Sequence, residues 1–406
     1  MPQKPFSIAV IGAGPAGLAA AEILASAGHS VTVYERMPSP ARKFLLAGRG
    51  GLNLTHSEEL QTFITRYGNA AESLRPAIER FPPSALGRWA EALGQKTFVG
   101  SSGRIFPASF KATPLLRAWL ARLNALGVRF AFRHEWTGWN NRTQPVFKTP
   151  DGEKIIEADA TLLALGGASW PRLGSNGVWA SILAEGLEIA PLKPANVGFL
   201  KPWSEYFLER FEGTPLKRIA IRFEERQVRS EAVITRTGIE GGAVYAIGNG
   251  IRDAILRDGT ATIHIDLRPD LPEQVLAKRL AGDRNHQSLS TFLRKAAGLA
   301  PVGIALLREV AGKDVPASPD ELARLLKDLP LVLTGIAPIE RAISTAGGLS
   351  FSELDETFML KKMPGIFAAG EMLDWEAPTG GYLLQACFST GIAAAHGIIS
   401  FLENRT

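Results

Sequence analysis

The chain has 406 residues, a hydrophobic fraction of 46% and a mean hydropathy of +0.04, a composition that excludes a disordered chain. Its length exceeds the usual limit of a single core, so we expect one large domain with at least one smaller inserted domain. The net charge of +5 and the pI near 9.3 come from basic residues spread along the chain, which favours a solvated surface over a nucleic-acid footprint but leaves RNA binding open.

The first elements of the chain predict a βαβ unit. Residues 7–12 form a short β-branched and apolar segment, and residues 31–34 form a second one. Between them, residues 15–27 are rich in Ala and Leu and stop at Gly28, the pattern of a helix with its end signal. The order strand, glycine turn, helix, strand is typical of the opening of a doubly wound sheet.

The later elements are predicted, in chain order, as a helix at 113–126, a strand at 128–132, β structure at 136–148 and 154–158, a buried strand at 160–165, short strands at 218–223, 232–235 and 263–267, a mainly helical region at 272–329, strands at 331–334 and 365–370, and a helix at 383–401. From Pro191 onward, prolines punctuate short alternating segments, which indicates a small β-rich domain. We therefore predict an α/β fold with three domains. They are a discontinuous Rossmann-type domain (1–190 and 344–406), a β-rich inserted domain (191–268 and 331–343) and a helical insertion (269–330).

The glycine turn after the first strand matches GxGxxG in its required setting. Gly12 permits the tight turn, Gly14 lets a pyrophosphate approach the backbone, and Gly17 lets the helix pack close to the strand. Pro15-Ala16 opens the helix, whose free N–H groups would face the phosphates. Glu35 ends the second strand and is placed to accept hydrogen bonds from the adenosine ribose, with Arg36 beside it. These residues predict a bound dinucleotide.

Three later segments favour FAD over a nicotinamide cofactor as the resident dinucleotide. Flavoproteins contact FAD again from distant parts of the chain, and glycine-rich or charged candidate segments lie at 42–55, 163–168 and 370–381. No second GxGxxG marks a nicotinamide domain, so NAD(P)H would bind only transiently as an electron donor.

Several motifs occur in an order that resembles a known family. They are VIGAGPAG at 10–17, GRGGLNLTH at 48–56, GRIFP at 103–107, ALGGASWP at 164–171, TAGG at 345–348, PGIFAAGEMLD at 364–374 and TGGY at 379–382, together with IHIDLRPDLP at 263–272. This set resembles the bacterial HI0933-like (YhiN-like) FAD-binding flavoprotein family, which includes BaiN-like and aminoacetone-oxidase-like proteins. The resemblance covers nearly the whole chain.

The resemblance implies a two-dinucleotide-binding FAD domain with a β-barrel-like insertion and a small helical insertion, and a tightly bound FAD. The activities it implies are diverse: oxidation of small amines, reduction of conjugated double bonds in steroid-like acids, and reduction of a uridine in ribosomal RNA. The chain departs from the family pattern at two places. It has GRGGLN where members commonly have a GGGRCN-type sequence with a cysteine, and GGYLLQAC where they commonly have GGYNLQWA.

The remaining candidate cofactor contacts are glycines that permit backbone approach, charged residues, and residues at strand exits or helix starts. Lys43 and Arg49 offer positive charge, while Glu371 and Asp374 offer carboxylates to sugar hydroxyls. A helix starting near Leu383 would aim its positive end at the flavin N1/C2 carbonyl edge. The full set is Lys43, Gly48, Arg49, Gly50, Gly51, Asn53, Leu54, Gly166, Gly167, Gly370, Glu371, Asp374, Gly380, Gly381 and Leu384.

Three residues are candidates for a direct part in catalysis. His56 would exchange the proton that accompanies hydride transfer, Arg104 would anchor an anionic substrate group, and Tyr382 would bind a substrate hydroxyl. The competing interpretations are a hydrogen-bonded structural histidine and packing roles for the other two side chains.

The leading hypothesis is a FAD-dependent oxidoreductase that transfers a hydride between flavin N5 and a small organic substrate, as a reductase recharged by NAD(P)H. An amine oxidase that uses oxygen, a flavin-dependent RNA uridine reductase and a noncatalytic FAD-binding protein are the alternatives. The single cysteine, Cys387, and the lack of a secretory signal pattern predict a cytoplasmic protein with no membrane partner. No residue cluster has metal-ligand spacing, so we expect no metal site.

Overall fold

The computed structural model describes residues 5–284 and 286–405, without the side chain of Arg49. The chain forms two compact units. The first runs up to Lys193 and resumes at Ser344, and the second is Pro194–Ile343.

The first stretch of the chain, up to the junction with the second unit, contains eleven strands and seven α-helices among its described residues. Its strands are β1 (Ser7–Ile11), β2 (Ser30–Glu35), β3 (Thr55–His56), β4 (Thr97–Val99), β5 (Arg104–Pro107), β6 (Arg129–Phe132), β7 (Glu135–Trp139), β8 (Pro145–Thr149), β9 (Gly152–Ile155), β10 (Ala160–Leu163) and β11 (Ile189–Ala195). Its helices are α1 (Pro15–Ser26), α2 (Arg42–Ala47), α3 (Leu60–Thr65), α4 (Ala71–Arg80), α5 (Pro83–Ala92), α6 (Ala112–Ala125) and α7 (Trp179–Leu183).

The second unit and the return to the first complete the set of elements. The strands of the second unit are β12 (Phe199–Leu200), β13 (Pro215–Phe223), β14 (Arg226–Thr235), β15 (Gly238–Glu240), β16 (Ala261–Asp266), β17 (Leu329–Leu333) and β18 (Gly335–Ile336). Its helices are α8 (Glu205–Phe211), α9 (Gly242–Ala246), α10 (Gly248–Asp258), α11 (Glu273–Leu280), α12 (Leu289–Ala296), α13 (Pro301–Ala311) and α14 (Pro319–Lys327). The first unit then resumes with β19 (Ser344–Leu349), β20 (Ile366–Ala368) and α15 (Tyr382–Glu403).

The first unit is built on a parallel sheet of strand order β20-β10-β1-β2-β6. Its register pairs Val10 of β1 with Leu162 of β10 and with Val33 of β2. Four of the five residues of β1 are buried, as expected for a central parallel strand that is covered on both faces. The predicted Rossmann-type α/β fold is thereby confirmed.

Helix α1 begins and ends where the sequence signals predict. Pro15 occupies the first turn, where a missing N–H costs nothing, and Gly28 follows the helix with φ +88, a value that favours glycine. Four of the seven buried residues of the helix are alanines and one is a glycine. The helix can therefore lie close both to the sheet and to α15.

Residues 36–112 contain more regular structure than the sequence indicated. Helices α2 to α5 and the antiparallel sheet β3-β5-β4 lie in this region, where no element was predicted. Pro76 lies inside α4, and Pro82 directly precedes α5, which begins with Pro83, so proline signals that normally end helices concealed two of them. Helices α2 and α3 have six residues each, too few for helical periodicity to be recognised.

The second unit carries a seven-stranded sheet of order β17-β16-β13-β14-β15-β12-β18, with antiparallel pairing along it. Helices α11 to α14 are inserted between β16 and β17 and lie in the same compact unit as the strands. The separation of a helical domain from the β-rich domain, with its exact boundaries, stays a prediction.

Helix α15 is the longest helix of the described chain and a core element of the first unit. By length and composition alone it could cross a membrane, but 61% of its most apolar window is buried inside the protein. Its buried faces pack on α1 and α4. These contacts are those of the central helix of a globular fold.

A carboxylate on α1 links three helices of the first unit. Glu22 Oε2 accepts hydrogen bonds from the indole N–H of Trp119 (2.7 Å) and of Trp89 (3.1 Å), while Oε1 lies 2.9 Å from an Arg122 nitrogen. The side chain of Glu22 is only 13% exposed, so these groups have little access to water. Loss of the carboxylate would leave two indole donors without an acceptor and would remove the ion-pair partner of Arg122, which keeps its bond to the carbonyl oxygen of Ala92.

We expect Glu22→Ala to lower the free energy of unfolding by about 3 kcal/mol, because buried donors without acceptors keep their full desolvation cost. Glu22→Gln should cost less, since its amide oxygen still accepts from an indole. The measurement is urea unfolding followed by far-UV circular dichroism. Glu185→Ala, at an exposed position, is the matched control and should change stability by less than about 0.5 kcal/mol. Equal midpoints for Glu22→Ala and Glu185→Ala would refute the structural role of Glu22.

Candidate functional site

Four segments of the first unit meet where the parallel strands end. β1 leads into Gly12, β2 ends at Glu35, β10 leads to Gly166, and β20 leads to Gly370. Because these strands are parallel, their carboxyl ends lie on one edge of the sheet, which is where doubly wound folds bind their ligands. The structure thus brings together four segments that the sequence analysis had selected separately.

The three glycines of the GxGxxG turn have different surroundings. A Cβ on Gly12, which has φ +109, would lie 2.2 Å from the carbonyl oxygen of Ala164, and a Cβ on Gly17 would lie 2.0 Å from that of Gly12. Gly14 has an ordinary φ of −83, and no atom lies within 4 Å of its Cβ position. The fold therefore requires Gly12 and Gly17, whereas the space beside Gly14 is open to a ligand.

The carboxylate of Glu35 lies at the turn between β1 and α1. It accepts hydrogen bonds from the backbone N–H of Ala13 (2.9 Å) and of Met37 (2.8 Å). Burial raises the pKa of Glu35, and the two backbone hydrogen bonds oppose that shift. The backbone of Gly174 approaches the same carboxylate, since a Cβ there would lie 3.9 Å from Glu35 Oε1.

Arg36 follows Glu35 but its guanidinium is directed at other protein groups. One terminal nitrogen lies 3.2 Å from Glu135 and the other donates to the carbonyl oxygen of Pro171 at 2.7 Å. Its Nε is buried and has no partner among the described residues. The structure thus gives Arg36 a role in bracing the loop of Pro171, and its contact with a cofactor stays a prediction.

Lys43 and Glu371, which were predicted to contact different parts of the cofactor, form an ion pair with each other. Lys43 Nζ lies 2.8 Å from Glu371 Oε2 and 3.0 Å from the hydroxyl of Ser169. The other Glu371 oxygen accepts the backbone N–H of Thr345 at 3.1 Å, and Gly167 N–H lies 3.4 Å from Oε2. These bonds tie α2, the exit of β10 and the exit of β20 together. A direct bond from either side chain to the cofactor stays a prediction.

Residues 45–56, the glycine-rich part of a candidate cofactor segment, contain short regular elements. Residues 45–47 end α2, Gly48–Gly50 forms a 3₁₀ turn, and Thr55–His56 is β3. A Cβ on Gly48 would lie 2.5 Å from that of Ala112, whereas no atom lies within 4 Å of the Cβ position of Gly50. Three clustered glycines oppose helix formation, which is why the helical part was missed. The side chain of Arg49 lies outside the described structure, and its charge contact with the cofactor stays a prediction.

The end of this segment carries two buried polar atoms without partners. Asn53 Oδ1 and Thr55 Oγ1 form no hydrogen bond with any described residue, and Leu54 between them is fully buried. A buried polar atom without a partner is costly and points to a group that completes its bonding. The backbone of this segment also packs closely against the start of α15, because a Cβ on Gly381 would lie 2.5 Å from Thr55 Cα.

Helix α15 begins at Tyr382, one residue earlier than predicted. Gly380 and Gly381 precede it with φ +141 and +96, values that favour glycine. The first helical bond runs from Gln385 N to Gly381 O, so the N–H groups up to Leu384 precede the helical ladder and carry the positive end of the helix dipole. These N–H groups can bind an anionic edge of a ligand.

His56 and Tyr382, two of the proposed catalytic residues, lie against each other. Their rings stack with centroids 5.6 Å apart. His56 Nδ1 accepts the N–H of Glu58 at 3.1 Å, and Nε2 donates to Ser102 O at 2.9 Å. Both ring nitrogens are therefore bonded to the backbone, which supports the structural interpretation of this histidine. In this arrangement neither ring nitrogen of His56 is free for the predicted proton exchange.

The hydroxyl of Tyr382 donates to Glu58 Oε1 at 2.6 Å, and Arg66 pairs with the same carboxylate at 2.7 Å. Burial and the neighbouring carboxylate raise the pKa of Tyr382, so the phenol stays protonated at neutral pH. Its backbone carbonyl accepts a hydrogen bond from the hydroxyl of Tyr67. The hydroxyl is thus already engaged, and its predicted bond to a substrate would have to replace the one to Glu58.

Arg104 and Asp374, by contrast, have side chains without hydrogen-bond partners among the described residues. Arg104 is half-buried on β5, directly opposite His56 on β3. Asp374 follows the exit of β20; burial raises its pKa and the charge of Lys193 opposes that shift. Both groups can bind a ligand without first breaking a bond inside the protein.

Cys387 is half-buried and packs against the hydrophobic core of the first unit. Burial raises the pKa of its thiol to about 12, so it remains a neutral thiol at neutral pH. Among the described residues, no group of three or more His, Cys, Asp or Glu side chains could hold a metal ion.

Sequence reasoning missed three polar residues of this site, namely Glu58, Ser169 and Thr345. Ser169 and Thr345 lie in motifs that support the family resemblance, but their spacing from Lys43 and Glu371 gives no hint of contact. Glu58 has no signal in the sequence, since only the folded chain brings it to Tyr382.

The residues at this edge fit an FAD. The open space beside Gly14 can hold a pyrophosphate, and the carboxylate of Glu35 can accept hydrogen bonds from a ribose. The unpartnered side-chain oxygen of Asn53 can accept a hydrogen bond from the cofactor. The helix start at Gly381 suits the electron-rich edge of a flavin ring. No feature of the described site conflicts with this cofactor.

Sequence relatives span nearly the whole chain. The profile of the HI0933-like protein Rossmann domain matches residues 6–397. The chain is 25% identical to a 3-dehydro-bile acid delta(4,6)-reductase of Clostridium scindens, over 95% of this chain and 97% of that protein. It is 23% identical to a ribosomal RNA dihydrouridine synthase of Escherichia coli, over 97% of this chain and 98% of that protein.

Solved structures support the fold. A flavocytochrome c3 fumarate reductase has a TM-score of 0.54 at 17% identity, covering 98% of this chain and 79% of that one. A 3-ketosteroid delta1-dehydrogenase of Sterolibacterium denitrificans has a TM-score of 0.54 at 13% identity, covering 98% of this chain and 100% of that one. With the profile match over nearly its entire length, the chain belongs to the HI0933-like family of FAD-binding oxidoreductases.

Proposed function

We propose that this protein is a FAD-dependent reductase that delivers a hydride to a small organic substrate and receives its electrons from NAD(P)H. The observation that carries the proposal is that the ribose carboxylate, the open phosphate turn and the positive start of α15 belong to one compact unit. Bound FAD supplies hydride transfer at N5, and the protein supplies binding, orientation and electrostatics.

Each part of the site has a separate task in this proposal. The backbone beside Gly14 and the start of α1 hold the pyrophosphate, and Glu35 holds the ribose. The N–H groups at the start of α15 stabilise negative charge on the flavin edge, which favours the reduced state. The ion pair of Lys43 and Glu371 positions the surrounding loops without adding net charge.

The direction of the reaction rests on the two relatives that match along their full lengths. One is named a delta(4,6)-reductase and the other a dihydrouridine synthase, and both names denote saturation of a carbon–carbon double bond. We therefore favour reduction of a double bond conjugated to a carbonyl group over oxidation of an amine. A cytoplasmic location is part of the proposal and rests on the composition of the chain.

Reduction of a uridine in RNA is the second candidate, because the dihydrouridine synthase matches nearly the whole chain and the pI is near 9.3. It requires salt-sensitive RNA binding. Retention of RNA on the purified protein at low salt and loss of dihydrouridine in a deletion strain would support it. Absence of both would exclude it.

Gly14→Ala should separate cofactor binding from folding. The new methyl group meets no protein atom within 4 Å, so the fold should persist, but it occupies the space into which the pyrophosphate would approach. We expect FAD affinity to fall at least tenfold, measured by fluorescence titration of apoprotein with FAD. Gly186→Ala has similarly open surroundings outside the site and is the matched control. Wild-type FAD affinity in Gly14→Ala would contradict the proposed phosphate site.

Glu35→Gln should also weaken FAD binding, by about tenfold, because a neutral amide accepts ribose hydrogen bonds more weakly than a carboxylate. Glu153→Gln on the exposed strand β9 changes the charge equally and should leave the affinity unchanged. The same titration measures both. A Glu35→Gln protein that folds and binds FAD as tightly as wild type would remove Glu35 from the ribose site.

The electron donor can be tested with purified, FAD-loaded protein under anaerobic conditions. We expect NADPH or NADH to bleach the flavin absorbance near 450 nm in the absence of substrate. Aminoacetone, tested in parallel, should leave the absorbance unchanged. Bleaching by aminoacetone and not by either nicotinamide would establish the oxidase alternative. A flavin that stays oxidised with every donor but stabilises the protein would indicate a noncatalytic role.

A further inference from the structure

One face of the β3-β5-β4 sheet carries a row of basic and aromatic side chains. His56 lies directly opposite Arg104, and Phe98 lies directly opposite Phe106. Residues directly opposite each other, and residues two apart on one strand, share a face of a sheet. His56, Arg104, Phe106 and Phe98 therefore form a continuous row across the three strands.

The aromatic end of this row is open to solvent. Phe98 stacks on Phe106 with ring centroids 5.8 Å apart, and Phe110 contacts them at 5.0 and 5.4 Å. Phe98 is 37% exposed and Phe110 is 48% exposed. A contiguous exposed cluster of large apolar side chains is unfavourable in water and marks a surface that binds a partner or ligand.

The backbone of Phe110 has a strained, left-handed conformation, and its ring is exposed to solvent. Its φ is +57, a left-handed value that is rare for a bulky residue and clusters at binding sites. Two hydrogen bonds of 2.8 Å hold it there, from Phe110 N to Pro107 O and from Leu52 N to Phe110 O. The second bond joins the aromatic cluster to the glycine segment, whose Gly51 would place a Cβ 3.2 Å from the Phe110 ring.

Arg104 is the cation in the middle of the row. Its guanidinium forms no hydrogen bond or ion pair with any residue that the structure describes, unlike Arg66, which pairs with Glu58 close by. Glu58 also accepts from Tyr382 and is thus fully engaged. A half-buried guanidinium beside aromatic rings binds planar anions such as carboxylates strongly and with directional preference.

The other end of the row leads to the start of α15. His56 stacks on Tyr382, the first residue of that helix, at 5.6 Å. The row therefore runs from an exposed aromatic cluster, past an unpaired cation, to the helix end proposed to face the flavin. Its composition suits one elongated ligand with an apolar body and a single negative charge.

We propose that this face, formed by Phe98, Phe106, Phe110 and Arg104, is the substrate-docking surface, and that the substrate is a flat apolar molecule with one anionic group. The inference rests on the proposed reductase function and names the substrate class of that site. Arg104 binds the anion, the three phenylalanines bind the apolar body, and the His56–Tyr382 stack borders the reacting end.

Equilibrium dialysis of the FAD-loaded protein tests this assignment with 1-pyrenebutyrate and its neutral analogue 1-pyrenebutanol. We expect 1-pyrenebutyrate to bind at least tenfold more tightly than 1-pyrenebutanol. Arg104→Gln should weaken 1-pyrenebutyrate binding about tenfold and change 1-pyrenebutanol binding by less than twofold. Arg104→Lys should fall between wild type and Arg104→Gln, because it keeps the charge and loses the planar fork.

Phe110→Gly tests the apolar part, since it removes the ring and suits the left-handed backbone. It should weaken binding of both probes several-fold. Arg117→Gln, on the exposed side of α6, is the matched charge control and should bind both probes as wild type does. FAD content and far-UV circular dichroism verify that each variant is folded.

Equal binding of both probes, or unchanged 1-pyrenebutyrate binding in Arg104→Gln, would overturn the proposal. An oligouridylate that binds through Arg104, with no binding of 1-pyrenebutyrate, would overturn it in favour of RNA. Dialysis requires no turnover, so its result is independent of flavin bleaching by NADPH. If the probes do not bind as expected while NADPH bleaches the flavin, the docking surface alone is refuted. If the probes bind as expected while NADPH does not bleach the flavin, the reductase function alone is refuted.

Discussion

Backbone segments at the carboxyl edge of the parallel sheet lie too close together to admit a Cβ atom between them. Gly12 lies against Ala164, Gly17 against Gly12, and Gly391 of α15 lies so close to α1 that a Cβ would be 2.3 Å from the carbonyl oxygen of Ala16. This proximity draws α1 and α15 onto the strand ends. Two helix N-termini, with their unbonded N–H groups, consequently lie in one compact unit, as a dinucleotide with a phosphate bridge and an electron-rich ring requires.

The charged residues of the site act mainly on each other, and this limits the roles that they can have. Lys43 neutralises Glu371, and Arg66 neutralises Glu58, so neither pair adds net charge beside the cofactor. Such pairs hold loops from distant parts of the chain in register, since α2 and the exit of β20 are joined only in the folded state. The side chains of Arg104 and Asp374 and the side-chain oxygens of Asn53 and Thr55 have no hydrogen-bond partner among the described residues and are therefore available to ligands.

The family shares a fold and a cofactor across relatives whose names denote different substrates, so specificity has to come from surfaces outside the dinucleotide motif. In this chain the β3-β5-β4 sheet is such a surface. It adjoins the glycine segment through the bond from Leu52 to Phe110. A change of substrate could thus accompany local changes in one small sheet, while the parallel sheet and α15 stay as they are.

The sequence by itself determined the Rossmann-type fold and the ends of α1, because glycine, proline and hydrophobic periodicity act over a few neighbouring residues. The family was indicated by the resemblance of its ordered motifs, and the profile match over residues 6–397 confirms it. It did not determine helices α2 to α5, where prolines and glycines stand inside or beside short helices that are held by packing rather than propensity. Nor did it determine that Lys43 meets Glu371, that both nitrogens of His56 are bonded, or that Arg104 stands unpaired on the same sheet face as Phe106 and Phe98. Those facts depend on contacts between residues far apart in the chain, which only the tertiary structure brings within hydrogen-bonding distance.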